Sequence, residues 1–164
     1  MGQRSSALAD RIEQGAGALA AYADGLSDEQ WQRPVLPDGR PVGVIIHHVA
    51  SVYPLEIQLA QVLAAGNPIT GATWAGIAEM NAHHALDHRA VSKAETLALL
   101  RLNSQVAAEA VRAIPDEDLD RAAPVSLNAD APLTAQFFIE DHALRHSWHH
   151  LAKISAALRL LIAA

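Results

Sequence analysis

The chain of 164 residues contains no cysteine. That excludes a disulfide framework, a thiolate metal ligand and a cysteine nucleophile, so any thiol chemistry must use a sulfur brought by another molecule. Aromatic residues make up only 4% of it, against 51% apolar residues in all. The core is therefore predicted to consist of Ala, Leu, Val and Ile, a mix that favours helix. Basic residues are also scarce: 12 Lys and Arg are scattered against 18 Asp and Glu, for a formal net charge of −6. Nucleic acid is not an expected partner, because phosphate contacts need clustered cations. No uninterrupted apolar run is long enough to cross a bilayer, and the C-terminal candidate is broken by Lys153 and Arg159. The opening MGQRSSALADRIEQ lacks the apolar stretch of a secretion signal. The expectation is one cytoplasmic domain over residues 1–164, with no membrane partner.

Punctuation divides the chain into helices. Residues from about Ser5 to Ala23 form an amphipathic helix weakened by Gly15 and Gly17. Ser27-Asp28-Glu29-Gln30 is a capping box that opens a short turn carrying Trp31. Pro34 to Pro41, with Pro37-Asp38-Gly39 inside, is a loop, and Pro41 suits the first position of a helix running to about Ala65. Gly66-Asn67-Pro68 stops that helix. A third stretch runs from near Thr73 to about Arg89, and Ser92-Lys93-Ala94-Glu95 is a second capping box opening a helix to about Ala113. Pro115-Asp116-Glu117-Asp118-Leu119 echoes Ser27-Asp28-Glu29-Gln30-Trp31, which suggests two related halves. The last helix is expected from near Leu133 to the C-terminus. No strand-like alternation of useful length is present, so the fold class is all-α: a four-helix bundle with a long central crossover.

Nine histidines stand out against these absences. At about 100° per residue, Val44, Ile45, Val52, Leu55, Leu59, Val62 and Leu63 fall within about 60° of His48, which points it into the bundle. His47 falls outside that stripe. On the last helix Ile139, Ala143, Ile154, Ala157, Leu158 and Leu161 define the inward face, with His150 within it and His146 at its edge. Residues four apart are neighbours on a helix, so His142/His146 and His146/His150 are both possible pairs, and phase selects the second. A lone buried histidine is ordinarily a hydrogen-bonded core residue. Three buried imidazoles without an ion would each need partners in a region that offers few. His48, His146 and His150 are therefore the candidate metal ligands, leaving open coordination positions. Three imidazoles suit Zn, Ni, Fe(II) and Mn to different degrees.

A competing pair, His84 and His88, lies beside His83 on a face shared with Trp74, Ile77, Asn81 and Ala85. It is either a polar helix edge or a pocket wall near the metal, with Asn81 or His88 touching substrate. His47, His142 and His149 are expected to be solvated or to support the ligands. Glu56, Asp87, Glu140 and Asp141 are the carboxylates available to orient a ligating imidazole, and sequence does not choose among them. No general base stands out. Pro54 should kink the second helix, as a packing bend or to open a cavity.

Val44-Ile45-Ile46-His47-His48-Val49-Ala50 and Arg145-His146-Ser147-Trp148-His149-His150-Leu151-Ala152-Lys153-Ile154 give the chain a family likeness. It resembles the DinB/YfiT-like superfamily of metal-binding four-helix bundles. The second segment is similar to that family's H-x-x-H-H-x-x-x-I signature, whose first and last histidines bind metal. The Ser-Asp-Glu-Gln-Trp and Pro-Asp-Glu-Asp-Leu segments also match, so the likeness covers nearly the whole chain. It carries ligand roles onto His48, His146 and His150, with His47 as the alternative to His48. Lys153 departs from the family, where Gln is frequent.

The resemblance implies a divalent-metal protein related to thiol-dependent transferases and isomerases, with a low-molecular-weight thiol such as mycothiol or bacillithiol as co-substrate. The leading functional expectation is a metal-dependent thiol S-transferase, with a hydrolase as its close variant, acting on a small-molecule substrate. The alternative is a non-catalytic helical module holding a metal or an apolar ligand. A homodimer is the expected assembly.

Overall fold

Helices begin where a side chain can take an otherwise unmet amide, and these caps fall close to where the sequence puts them. The computed structural model describes residues 2–159. Leu161, assigned to the inward face of the last helix, and the predicted run of that helix to the C-terminus lie outside the described residues. The first helix, α1 (Gln3–Asp24), is capped from a distance: the Asp116 carboxylate accepts the amides of Arg4 and Ser5 at 3.1 and 3.0 Å. In the short α2 (Asp28–Trp31) the predicted capping box is complete. The Ser27 hydroxyl accepts the Gln30 amide, and the Gln30 side chain accepts the Ser27 amide. Helix α3 (Val42–Ala64) starts one residue later than expected, with Pro41 as its cap. Thr73 caps α4 (Trp74–Asp87), and Ser92 caps α5 (Lys93–Arg112).

Beyond α5 the structure departs from expectation. A single 3-10 turn (Asp118–Asp120) leads into an antiparallel ribbon of β1 (Ala122–Val125) and β2 (Ala131–Thr134). Pro124 faces Pro132 across it. Strands of four residues with a proline in each carry no legible alternation. Leu133 therefore sits in β2 rather than opening the last helix, and Thr134 caps α6 (Ala135–Ile139). A π-helical turn (Glu140–Leu144) then joins α6 to α7 (Arg145–Arg159).

Four long helical runs form the bundle. Helix α1 packs on α5 and α7, and α3 packs on α5, α6 and α7, while α4 occupies the long crossover and leans on α3. Gly15 is needed at the α1–α7 contact, where a Cβ would stand 2.9 Å from the indole nitrogen of Trp148. Helix α3 is long and apolar enough by composition to cross a bilayer, which the sequence reading did not find for any segment. Here it is the core helix, with Val42, Ile45, Ile46, Val49, Ala50, Tyr53, Ile57, Ala60 and Leu63 buried.

Pro54 does not break α3, which is helical on both sides of it. Proline removes the amide that would have bonded the Ala50 carbonyl. The Asn103 side chain of α5 donates to that carbonyl at 2.8 Å instead, so no buried acceptor is left unmet.

Candidate metal centre

Consecutive residues on a helix point about 100° apart, and α3 uses this at His47 and His48. His48 faces α7, where His146 and His150 stand one turn apart. The nearest nitrogens of these three rings all lie within 4.8 Å of one another. Ring centroids are 5.1 Å apart for His48 and His146, 5.9 Å for His48 and His150, and 4.9 Å for His146 and His150. His47 is absent from this group. It turns to α4 and meets His84 and His88 in a second cluster, whose nearest nitrogens also lie within 4.8 Å of one another. Of the two neighbours, His48 is the one that meets the HxxxH pair.

Burial keeps His48 and His150 neutral. His48 and His150 are each 7% exposed. Desolvation, then the neighbouring His146, pushes His48 down to about 3, and the same two causes push His150 down to about 2. Imidazoles must be neutral to offer a lone pair to an ion. Glu56, one of four carboxylates left open by sequence, supports His146. Lying two turns along α3 from His48, it accepts the His146 Nδ1 proton at 2.7 Å. That contact fixes the tautomer and leaves Nε2 free as a donor. Behind the cluster, the Tyr53 and Ser147 hydroxyls bond each other at 2.7 Å, tying α3 to α7 beside His146. Burial holds the Tyr53 hydroxyl up at about 12.

The cluster forms the polar end of a cleft of about 540 Å³. Val52, Leu55 and Leu59 from α3, Ile77 and Met80 from α4, and Phe138 from α6 supply its apolar wall. The apolar stripe around His48 thus lines a cleft in part rather than a closed core, and Leu55 is 40% exposed. His142 is half-buried in this wall and stacks on Phe138 with centroids 4.2 Å apart. Straight-helix phase turned it outward, but the π turn inserts an extra residue and rotates everything N-terminal to His146. His146 and His150 both follow that turn, so their spacing is unaffected. His149 is only half-buried at the cleft rim.

Arg40 is the cleft residue that sequence reasoning missed. Its guanidinium is held by Asp38 through Nε at 2.6 Å and Nη2 at 2.7 Å. Nη1 is buried without a partner, as are Nδ1 of His150 and Oε2 of Glu56. The one local signal was the Asp38-Gly39-Arg40 turn, with Gly39 at φ 80° placing the two charged side chains together. Three imidazole nitrogens, one ring oriented by a carboxylate, fit a first-row divalent ion. Unmet polar atoms around them fit a site built for a further bound group.

The comparisons with known proteins bear on the fold and the family. YfiT from Bacillus subtilis, described as a probable metal-dependent hydrolase with an unusual four-helix bundle topology, superposes with a TM-score of 0.78 at 17% identity. The match covers 98% of this chain and 90% of that one, and at that identity it speaks for the fold. No curated protein sequence matches the chain. The sequence model of the DinB superfamily matches residues 11–154, and the chain belongs to that superfamily.

Proposed function

We propose that the protein is a metal-dependent enzyme whose divalent ion, held by His48, His146 and His150, activates a thiol or a water molecule against a small molecule in the adjoining cleft. The observation that carries this reading is the convergence of three imidazoles at the polar end of an apolar cleft. A bound ion with three neutral ligands keeps its full charge and supplies Lewis acidity, lowering the pKa of a nearby thiol or water. Glu56 holds the His146 ring through Nδ1, which would leave Nε2 to bind the ion. Val52, Leu55 and Leu59 exclude water and take the apolar part of a substrate. Arg40 offers its unmet Nη1 to an anionic group, such as a carboxylate. Because the chain has no cysteine, S-transfer requires an added low-molecular-weight thiol. The description of YfiT lends support to the hydrolytic variant.

Two measurements test this. Metal content of the purified protein should be one ion at this site, lost in His150→Ala and kept in His149→Ala; equal loss from both would mean the ligand set is wrong. Initial rates should then be compared for holo and apo protein with ester and amide substrates. The same comparison is made with electrophiles in the presence of mycothiol, bacillithiol, glutathione or coenzyme A. Metal-dependent turnover without thiol assigns hydrolysis, and metal-dependent thiol consumption assigns S-transfer. Metal without either leaves the binding module in place of the enzyme.

A further inference from the structure

The second histidine cluster has no part in the reading above, and its chemistry is distinctive. His47 lies on α3, while His84 and His88 stand one turn apart at the end of α4. His47 Nδ1 is 2.9 Å from His84 Nε2, and the rings of His47 and His88 stack with centroids 4.0 Å apart. His84 and His88 centroids are 4.6 Å apart. Proton accounting shows that the rings do not satisfy one another. The Ser51 hydroxyl gives its only proton to the His48 carbonyl at 3.0 Å, so toward His84 Nε2, 3.3 Å away, it can only accept.

If His84 carries its proton on Nε2, it serves Ser51 and His47, and Nδ1 is a buried lone pair with no donor. If His84 carries it on Nδ1, that N–H is a buried donor with no acceptor. Either way His84 Nδ1, which is buried and unpartnered, stays unmet, at a cost native structures rarely accept. Three imidazole lone pairs that share one ion, with the remaining N–H groups turned to Ser51 or to solvent, remove the conflict.

We infer that His47, His84 and His88 form a second site for a divalent transition ion of the zinc or nickel type, separate from the His48–His146–His150 centre. The donor set is all imidazole, which suits such ions and not Mg or Ca. The two clusters are neighbours, with His48 and His84 centroids 5.5 Å apart, and repulsion between two dications lowers the affinity of whichever site fills second. Its structural consequence falls on α4. None of the residues of α4 is buried, yet Ile77, Met80 and Asn81 form one wall of the cleft. An ion joining His47 to His84 and His88 would fasten that wall to α3.

The test is zinc titration of the chelator-treated full chain by calorimetry, with hydrogen exchange read on α4. The wild type should take up two ions per chain in two steps. His88→Ala and His84→Ala should each take up one, and His146→Ala should also take up one. Saturating zinc should slow exchange of the α4 amides in the wild type and not in His88→Ala. One ion per chain, kept in His84→Ala and lost in His146→Ala, overturns the second site and leaves the first standing. One ion lost in His84→Ala and kept in His146→Ala overturns the ligand set proposed above instead. Two ions with α4 exchange unchanged would overturn the fastening role. Far-UV circular dichroism of each variant separates loss of a ligand from loss of the fold.

Discussion

Acidifying the metal-free protein should destabilise it largely through His48 and His150. Both are neutral in the folded chain down to low pH, at about 3 and about 2 against an ordinary 6.5. The unfolded chain takes up protons as pH falls below its own histidine value, so it binds more protons than the folded one across this window. Stability from these two groups is therefore complete above about pH 6.5 and is lost as pH falls toward their folded values. From about pH 7 to about pH 5.5, each unfolded imidazole gains roughly 1.2 kcal/mol from protonation, so the pair costs about 2.4 kcal/mol. For a domain of this size that is a fall in Tm of about 5–10 °C. His47, His84, His142 and His149 are shifted in the same direction by burial and add to the fall. His150→Leu isolates one contribution. Urea unfolding with chelator present should show its stability depending on pH less steeply than the wild type, by up to about 1.4 kcal/mol per pH unit near pH 5. Equal slopes for the two proteins, or a flat wild-type profile, would refute the claim that burial holds His150 neutral.

Glu56→Leu leaves the His146 Nδ1 proton without an acceptor and should weaken zinc binding by about 10–100-fold in competition with a chromophoric chelator; unchanged affinity would show that Glu56 does not orient the ligand. Asn103→Leu strands the Ala50 carbonyl and should cost about 1–3 kcal/mol. The same change should cost far less in a Pro54→Ala background, where the amide of residue 54 can take that carbonyl, and additive costs in the double-mutant cycle would remove the explanation. Gly17→Ala, with nothing near its Cβ, should stabilise by about 0.5–1 kcal/mol. Gly15→Ala, pressed on Trp148, should be less stable than Gly17→Ala by about 1 kcal/mol or more, and equal melting temperatures would count against the close α1–α7 contact.

What was legible in the sequence follows from the range of the interactions involved. Caps are local, so Ser27, Thr73 and Ser92 mark helix starts to within a residue or two. Helical phase is local too, and it sorts His48 from His47 and His150 from His149 without any tertiary information. The π turn at Glu140–Leu144 leaves composition untouched and shifts phase by one residue, which is why His142 was turned outward on paper and lies in the cleft wall. The ribbon of β1 and β2 is held by pairing between segments whose prolines hide it. Pairing His47 with His84 needs α4 laid against α3, and no periodicity within either helix encodes that contact. Arg40 belongs with these: a loop residue acquires its meaning from the cleft it faces.

Helix α3 explains why the two histidine clusters and the cleft occur together. A helix packed on several sides by other elements must be apolar around most of its circumference, which is why its composition mimics a membrane span. Polar side chains in such a helix are costly unless each has a partner. Gln58 and Gln61 are exposed and need none. His47 reaches His84, Tyr53 reaches Ser147, Ser51 reaches the His48 carbonyl, and Glu56 reaches His146. His48 remains: no protein group within its cluster donates to or accepts from it in a hydrogen bond, and its neighbours His146 and His150 are imidazoles like itself. A buried polar side chain in the core helix, aimed at two more of its own kind, stabilises nothing in the bundle by itself. A divalent ion is the partner whose chemistry matches all three rings at once, and the apolar surroundings that make His48 and His150 poor bases also keep their lone pairs available to it.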